Sequence, residues 1–371
     1  MIFDPIELLS LGVGYLFLLF LVAHLSESGL IPTKWIRNPT VYVLSLGVYV
    51  SAWGVYGIIG FAYETGYNFL AFYLGVSGAF LLAPVLLNPI LRLTKNHQLS
   101  SLADLFAFRY RSQFVGSLTT IMMVLGLLPL LALQIRAVAD TANILTQKID
   151  HNGIAIVFCV AITAFTLLFG AKPLTPQYKH DGLVIAIAVE SIVKLVMMLS
   201  VAAYALFFIF DGHAGLTEWL SNNKDAVELL YVPLKENGIW HTLIFAFLFS
   251  AVVMPFMYQM VFTENFQPRA LLTASWGLPL YLFLMAICVP IILWAGIKLE
   301  VGFSPEYFTI AIAIASKNTF LPLLVFIGGI AAASGTIVVT SLALSSMILN
   351  HLVLPLAQPS PDYNLYRWLI W

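Results

Sequence analysis

Long apolar runs limit the fold of this chain more than any other feature of its sequence. A helix needs about 20 apolar residues to cross a hydrocarbon core of about 30 Å. Only 9% of the 371 residues are charged, whereas soluble domains carry about 25%. We therefore predict an all-α polytopic membrane protein with residues 1–371 in one transmembrane domain. Nine runs could span the membrane: Ile6–Leu25, Thr40–Tyr63, Phe69–Leu91, Val115–Leu145, Ile154–Gly170, Gly182–Phe210, Ile239–Phe262, Leu271–Ile297 and Phe320–Ala357.

The loops between these runs divide the basic residues unequally between the two sides of the membrane. Lys and Arg collect on the cytoplasmic side, so we expect a protein of the cytoplasmic (inner) membrane with its N-terminus outside. The loop of residues 211–238 would then lie outside, and we expect a short helix within it. The cytoplasmic side would hold Lys34, Arg37, Arg92, Lys95, Arg109, Arg111, Lys172, Lys179, Arg269 and Arg367. The outer side would hold Lys148, Lys224, Lys235, Lys298 and Lys317.

The second and seventh runs contain residues that can interrupt a helix. Gly54, Gly57 and Gly60 lie close together in the second run, and Pro255 lies in the seventh. Small residues also allow close helix packing, and a lone proline can simply kink a helix. Two interrupted spans in corresponding positions of two repeats are, however, typical of secondary transporters. Because these runs are five apart, we expect two repeats of inverted topology.

Two pairs of charged residues lie inside the apolar runs. Arg136 and Asp140 are four residues apart, as are Glu190 and Lys194, so each pair shares a helix face. Charges within a membrane are costly and normally face the bundle interior. The pairs could neutralise each other and fix packing, or they could take part in ion or proton coupling. The sequence contains no Ser-His-Asp arrangement and no phosphate-binding loop, so we do not expect an enzyme.

Three segments carry a resemblance to a known family: SAWGVYGIIGFAYETG in the second run, LNPILRLTKNHQLSSLADLFAFRYRS after the third, and IGGIAAASGTIVVTSLALSSMILNHLVLP in the ninth. The chain resembles the sodium/solute symporter family (solute carrier family 5). FGAKPLTPQYKHDGLVIAIAVESIVKL and GLPLYLFLMAICVPIILWAG are similar to the transporter-like N-terminal domain of CbrA-type sensor histidine kinases. The resemblance implies an inverted-repeat fold like that of the bacterial leucine transporter. The chain ends where a further span is expected, so we interpret it as truncated, with an incomplete second repeat.

The resemblance also implies a sodium site between the second and ninth runs. Its ligands would be the carbonyls of Gly47, Val50 and Ala331 together with side chains at positions 334 and 335. Ser334 offers a hydroxyl, whereas Gly335 has none. Possible substrate contacts are Tyr49, Trp53, Gly54, Tyr73, Phe256 and Gln259.

These features together predict ion-coupled symport of a small organic solute, most plausibly an amino acid, by alternating access. Na+ would be the coupling ion, and the partners would be the solute and the lipid bilayer, without nucleic acid. The alternative is a solute-sensing input domain of a two-component sensor, with a histidine kinase domain in cis or in trans.

Overall fold

The computed structural model describes residues 3–147, 151–170, 180–231 and 239–356, and these ranges contain helices and no strand. The α-helices are α1 Pro5–Glu27, α2 Thr33–Ile36, α3 Pro39–Ser45, α4 Ile58–Thr65, α5 Phe69–Leu81, α6 Leu87–His97, α7 Leu102–Tyr110, α8 Gln113–Thr146, α9 His151–Gly170, α10 Asp181–Tyr204, α11 Gly212–Asn222, α12 Lys224–Tyr231, α13 Ile239–Val253, α14 Pro255–Tyr258, α15 Ala270–Lys298, α16 Phe308–Ala315, α17 Phe320–Ile348 and α18 Leu354–Leu356. Between them lie the 3-10 turns Leu46–Tyr49, Gly66–Asn68 and Pro305–Tyr307 and the π-helical turns Trp53–Gly57, Ala205–Ile209, Gln259–Thr263 and Leu349–Val353.

Five of the described helices are long and apolar enough to cross a membrane. Two further pairs of helical segments pass the same test together but are sharply bent, Pro39–Tyr49 with Trp53–Leu81 by 77° and Ile239–Val253 with Pro255–Thr263 by 52°. The prediction of an all-α, membrane-spanning fold is thus confirmed, while the count of nine spans stays a prediction. The five unbroken spans are Pro5–Glu27, Gln113–Thr146, Asp181–Ile209, Ala270–Lys298 and Phe320–Val353.

Helix starts in the first part of the chain follow ordinary capping chemistry. Asp4 accepts a hydrogen bond from the amide of Ile6 at 2.8 Å, and Asn38 accepts one from the amide of Thr40 at 2.9 Å. A proline follows each cap at the first helical position, where its missing N–H costs no hydrogen bond.

Some boundaries differ from the apolar runs. The third run extends to Leu91, but α5 ends at Leu81 and a turn containing Pro84 separates it from α6. Proline lacks the N–H of a helical hydrogen bond and favours such an interruption. The loop of residues 211–238 contains two short helices, α11 and α12, within its described part, where one was expected. The short helix α16 was not predicted. Ala357, at the end of the ninth run, lies outside the described residues, as do the loop residues Lys148, Lys172, Lys179, Lys235 and Arg367.

Helix α17 lies at the centre of the molecule. In its most apolar stretch 83% of the residues are buried, compared with 17% in α8, so most of the surface of α8 is left uncovered by the described residues. Helix α10 packs against α1, α3, α15 and α17. The polar side chains of α10 therefore lie within reach of α17 and of the broken span that begins with α3.

Candidate functional site: the break in the second span

The second span is interrupted at Val50–Ala52, between the 3-10 turn Leu46–Tyr49 and the π-helical turn Trp53–Gly57. The amide of Ala52, which the break leaves without a helical partner, donates to Gln134 Oε1 of α8 at 2.8 Å. The Thr336 hydroxyl of α17 lies 3.4 Å from the carbonyl oxygen of Val48. An irregular backbone at membrane depth is tolerated only where the protein satisfies it, and here side chains of neighbouring helices do so.

The glycines that suggested a break lie just after it and serve close packing. A Cβ atom on Gly54 would lie 3.0 Å from Val50 Cγ1 and 3.3 Å from the Phe72 ring. One on Gly57 would lie 2.5 Å from the indole ring of Trp53. The sequence thus predicted a broken span, but the break precedes Gly54 by a few residues.

The ammonium group of Lys194 bridges the broken segment. Its Nζ donates to the carbonyl oxygen of Gly47 at 2.9 Å and to that of Val50 at 3.0 Å. Lys194 is 1% exposed and lies on α10. These are charge-assisted hydrogen bonds, which are stronger than those between neutral groups. They tie α10 to the end of the first half-helix, where the Gly47 carbonyl also accepts from the Val50 amide at 3.0 Å.

Glu190 lies one helical turn before Lys194 but engages a different helix. Its Oε1 accepts from the Ser334 hydroxyl of α17 at 2.6 Å, while its buried Oε2 has no hydrogen-bond partner. The two charged groups interact electrostatically, so their mutual neutralisation stays a prediction. Their hydrogen bonds go to different elements, since the ammonium donates to the broken span and the carboxylate accepts from α17.

The residues expected to bind sodium do not fit a resident sodium ion in this arrangement. The Gly47 and Val50 carbonyls already accept from Lys194, and the Ser334 hydroxyl donates to Glu190. Ala331 lies fully buried in α17. At Gly335 a Cβ would lie 2.1 Å from Glu190 Oε2, so the carboxylate takes the space of a side chain at position 335.

Three of the expected substrate contacts surround one phenylalanine that sequence analysis missed. The ring of Phe72 in α5 stacks on Tyr49 with 4.5 Å between centroids and meets the rings of Trp53 and Tyr73 edge-on at 5.1 and 5.0 Å. The Tyr49 hydroxyl donates to the Phe72 carbonyl oxygen at 2.9 Å, while the buried Tyr73 hydroxyl has no hydrogen-bond partner. This aromatic cluster (Tyr49, Trp53, Phe72, Tyr73) could hold the apolar part of a solute.

The seventh span breaks at Met254, where Pro255 begins the short helix α14. This helix contains the buried Phe256 and packs against the 3-10 turn Leu46–Tyr49 and against α17. The Tyr42 hydroxyl also joins the two broken spans, since it donates to the Val261 carbonyl oxygen at 3.0 Å. The two interruptions therefore lie against each other inside the protein.

Gln259 does not join the aromatic cluster. Its Nε2 donates to Glu264 Oε1 at 2.8 Å, and the same carboxylate accepts from the backbone amide of His180 at 3.1 Å. His180 Nδ1 lies 2.8 Å from Glu264 Oε1. Burial would raise the pKa of Glu264, but the hydrogen bonds and charge of His180 outweigh it, so this pKa is lowered. Gln259 thus belongs to a polar cluster at the end of the seventh span.

A cavity of about 430 Å³ lies beside the broken second span. Arg136 Nε is 3.3 Å from Asp140 Oδ2, and the same oxygen accepts a hydrogen bond from the Tyr307 hydroxyl. Burial, followed by the Asp140 carboxylate, raises the pKa of Tyr307 well above its usual range, so the phenol stays a donor. The cavity is lined in part by Ala52, Trp53, Tyr56, Ala132, Arg136, Asp140 and Tyr307.

Sequence analysis missed Gln134, Phe72, Tyr307 and Glu264. Gln134 is a fully buried amide in α8, and an uncharged polar residue in an apolar run is a signal that could have found it. Tyr307 has no local signal, because its partner Asp140 lies 167 positions away. Glu264 bonds Gln259 nearby but also His180, 84 positions away.

Comparisons with known proteins agree with this geometry. No family model matches the chain. It is 28% identical over 156 residues to the uncharacterized symporter YodF of Bacillus subtilis (42% of this chain, 29% of YodF) and 26% identical over 204 residues to the uncharacterized symporter YhjB of the same organism (53% of this chain, 38% of YhjB). The chain thus matches well under half the length of each relative. The structure of a Na+-coupled sialic acid symporter in a substrate-bound outward-open state superposes with a TM-score of 0.71 at 12% identity, covering 98% of this chain and 77% of that one. The chain therefore has the fold of a symporter and is a multi-pass membrane protein.

Proposed function

We propose that this chain carries out cation-coupled symport of a small organic solute across the cytoplasmic membrane by alternating access. The observation that carries the proposal is the pair of interrupted spans packed against each other, with the backbone of the first break held by side chains of α8, α10 and α17. Interrupted spans of this kind form the substrate site of many secondary transporters. The symporter fold and the similarity to two symporters support the same function.

The aromatic cluster and Gly54 would form the solute site together with Phe256. The cluster supplies apolar surface, and the buried Tyr73 hydroxyl, which has no hydrogen-bond partner, supplies a polar group. An amino acid has both kinds of group, so we propose this class of solute first. Sodium is the coupling ion of the symporter that shares the fold, and for this chain a proton is the competing proposal.

Counterflow in proteoliposomes tests this function without knowledge of the coupling ion. Vesicles containing the full-length protein are loaded with an unlabelled amino-acid mixture, and the entry of labelled amino acids is measured. We expect uptake above that of protein-free vesicles. It should be lost in Gly54→Val, whose side chain would meet Val50 and Phe72, and kept in Gly126→Ala, where nothing lies within 4 Å of the added Cβ.

The outcome also separates a transporter from a sensor domain. If amino acids, sugars and carboxylates all fail to exchange, the transport proposal is wrong. Solute binding without exchange would instead favour the alternative of an input domain that signals to a kinase.

The proposed orientation places the N-terminus and the helices α11 and α12 outside. A single cysteine at exposed Lys224, in a protein whose Cys159 and Cys288 are replaced by serine, should react with a membrane-impermeant maleimide in intact cells. Labelling only after the cells are opened would show that the orientation is the opposite of the one proposed.

A further inference from the structure

We infer that the ammonium group of Lys194 is a built-in replacement for sodium, and that the wild-type protein binds no sodium ion between its second and ninth spans. The role of this site in transport rests on the proposed function, whereas the absence of sodium from it does not. It starts from the two carbonyl groups of the break, which converge on one nitrogen atom at 2.9 and 3.0 Å.

The chemistry of the two cations explains the replacement. Sodium and an ammonium group both carry one positive charge, and both are held by carbonyl oxygens. Lys194 reaches the carbonyls of Gly47 and Val50 from α10 with its stem buried, so the charge is attached covalently and cannot leave. Its hydrogen bonds hold the first half-helix to α10, whereas a bound ion would hold it through ligands on α17.

Two further features fit the replacement of sodium by Lys194. Glu190 lies on α10 near Lys194 and balances its charge, which a buried ammonium group requires. Its carboxylate fills the space beside Gly335, where a Cβ would lie 2.1 Å from Oε2. The Ser334 hydroxyl donates to the same carboxylate at 2.6 Å and also to the carbonyl of Ile330 at 2.7 Å.

Electrostatics also opposes the binding of a sodium ion beside the Lys194 ammonium group. With Lys194 and Glu190 both charged, the site is neutral, and an additional sodium ion would leave a net positive charge in a region of low dielectric constant. Like charges at contact distance repel strongly there. Removal of the lysine charge alone would make sodium binding favourable, because Glu190 would then attract a cation into the vacated space.

The test compares sodium binding in four purified full-length proteins: wild type, Ser334→Ala, Lys194→Ala and Glu190→Gln/Lys194→Ala. The probes are the thermal unfolding midpoint and the binding of radioactive sodium, with choline chloride replacing sodium chloride at a constant ionic strength of about 0.15 M. We expect wild type and Ser334→Ala to respond to sodium equally. Lys194→Ala should gain a sodium-specific rise of about 2 °C or more, and the double variant, which lacks the Glu190 charge, should not.

The comparison of wild type with Ser334→Ala decides the question even if Lys194→Ala fails to fold. A sodium response in wild type that Ser334→Ala removes would show a sodium ion at this site and overturn the inference. A folded Lys194→Ala protein without any gain in sodium binding would overturn it too. Because neither probe requires a solute or a flux, a failure of the transport proposal would appear separately, as the absence of counterflow.

Discussion

The side-chain oxygen of Gln134 accepts a hydrogen bond of 2.8 Å from the backbone amide of Ala52, across 82 positions of sequence. Gln134 is fully buried, and its Nε2 donates to the carbonyl of Leu130 in its own helix at 3.2 Å. Both ends of the amide are therefore used. The contact fixes the start of the second half-helix against α8, which helps to set the angle of 77° between the two halves of the span.

Replacing Gln134 with methionine should destabilise the break specifically. Methionine has a similar length but accepts hydrogen bonds only weakly, so the Ala52 amide would be left buried without a good partner at a cost of about 1–3 kcal/mol. We expect a lower unfolding midpoint and reduced solute exchange. The control is Leu128→Ala on the same helix, at an exposed position. Equal midpoints for the two variants would contradict a role for the hydrogen bond.

Gly335 should not tolerate even a methyl group. An alanine Cβ would lie 2.1 Å from Glu190 Oε2 and 2.9 Å from Ile187 Cδ1, and overpacking of this kind costs about 1–3 kcal/mol. The matched control is Gly126→Ala in α8, where the space is open and alanine should stabilise the helix by up to about 1 kcal/mol. Thermal unfolding in detergent measures both. If Gly335→Ala is as stable as wild type, the Glu190 carboxylate does not lie where the structure places it.

The hydrogen bond between Tyr307 and Asp140 should restrict access to the cavity beside the break. Tyr307 lies just before α16, and Asp140 belongs to α8, so the bond joins the segment before α16 to a spanning helix. Tyr307→Phe removes the bond but keeps the ring. A cysteine introduced at Ala132, which lines the cavity, should then react faster with an external maleimide. Tyr231→Phe, at an exposed position, is the control and should leave the rate unchanged.

The sequence predicts the helical class and both interrupted spans because their signals are local. Apolar runs identify spanning helices, and Pro255 marks the second interruption within one residue of Met254. The first break is less well placed by its glycines, since Gly54 and Gly57 serve contacts with Phe72 and Trp53. Glycine serves both close helix packing and helix unwinding, and only its neighbours in the folded structure show which of the two roles it has.

The partners of the buried charges could not be predicted from spacing. Glu190 and Lys194 are four residues apart on one helix, so local reasoning pairs them. Their hydrogen-bond partners lie 144 positions away for Ser334 and 147 and 144 positions away for Gly47 and Val50. Carbonyl groups at a break accept hydrogen bonds from an ammonium group on another helix, and their position depends on the whole fold.

The last prediction concerns Glu264, whose stabilising effect should depend on pH. This carboxylate is buried, and despite its burial the hydrogen bonds and charge of His180 lower its pKa. A group with a lowered pKa stabilises the folded state at pH values above its unfolded pKa, here the usual 4.5, and this contribution is lost as the pH falls through the folded pKa. Glu264→Gln removes the charge, so the variant should be less stable than wild type at pH 7. The difference between their unfolding midpoints should shrink as the pH falls below 4.5.

The control is Glu218→Gln in α11, an exposed residue, which should show no such pH-dependent difference. A gap between wild type and Glu264→Gln that stays constant from neutral to acidic pH would mean that the lost packing of the side chain, and not its charge, explains the effect.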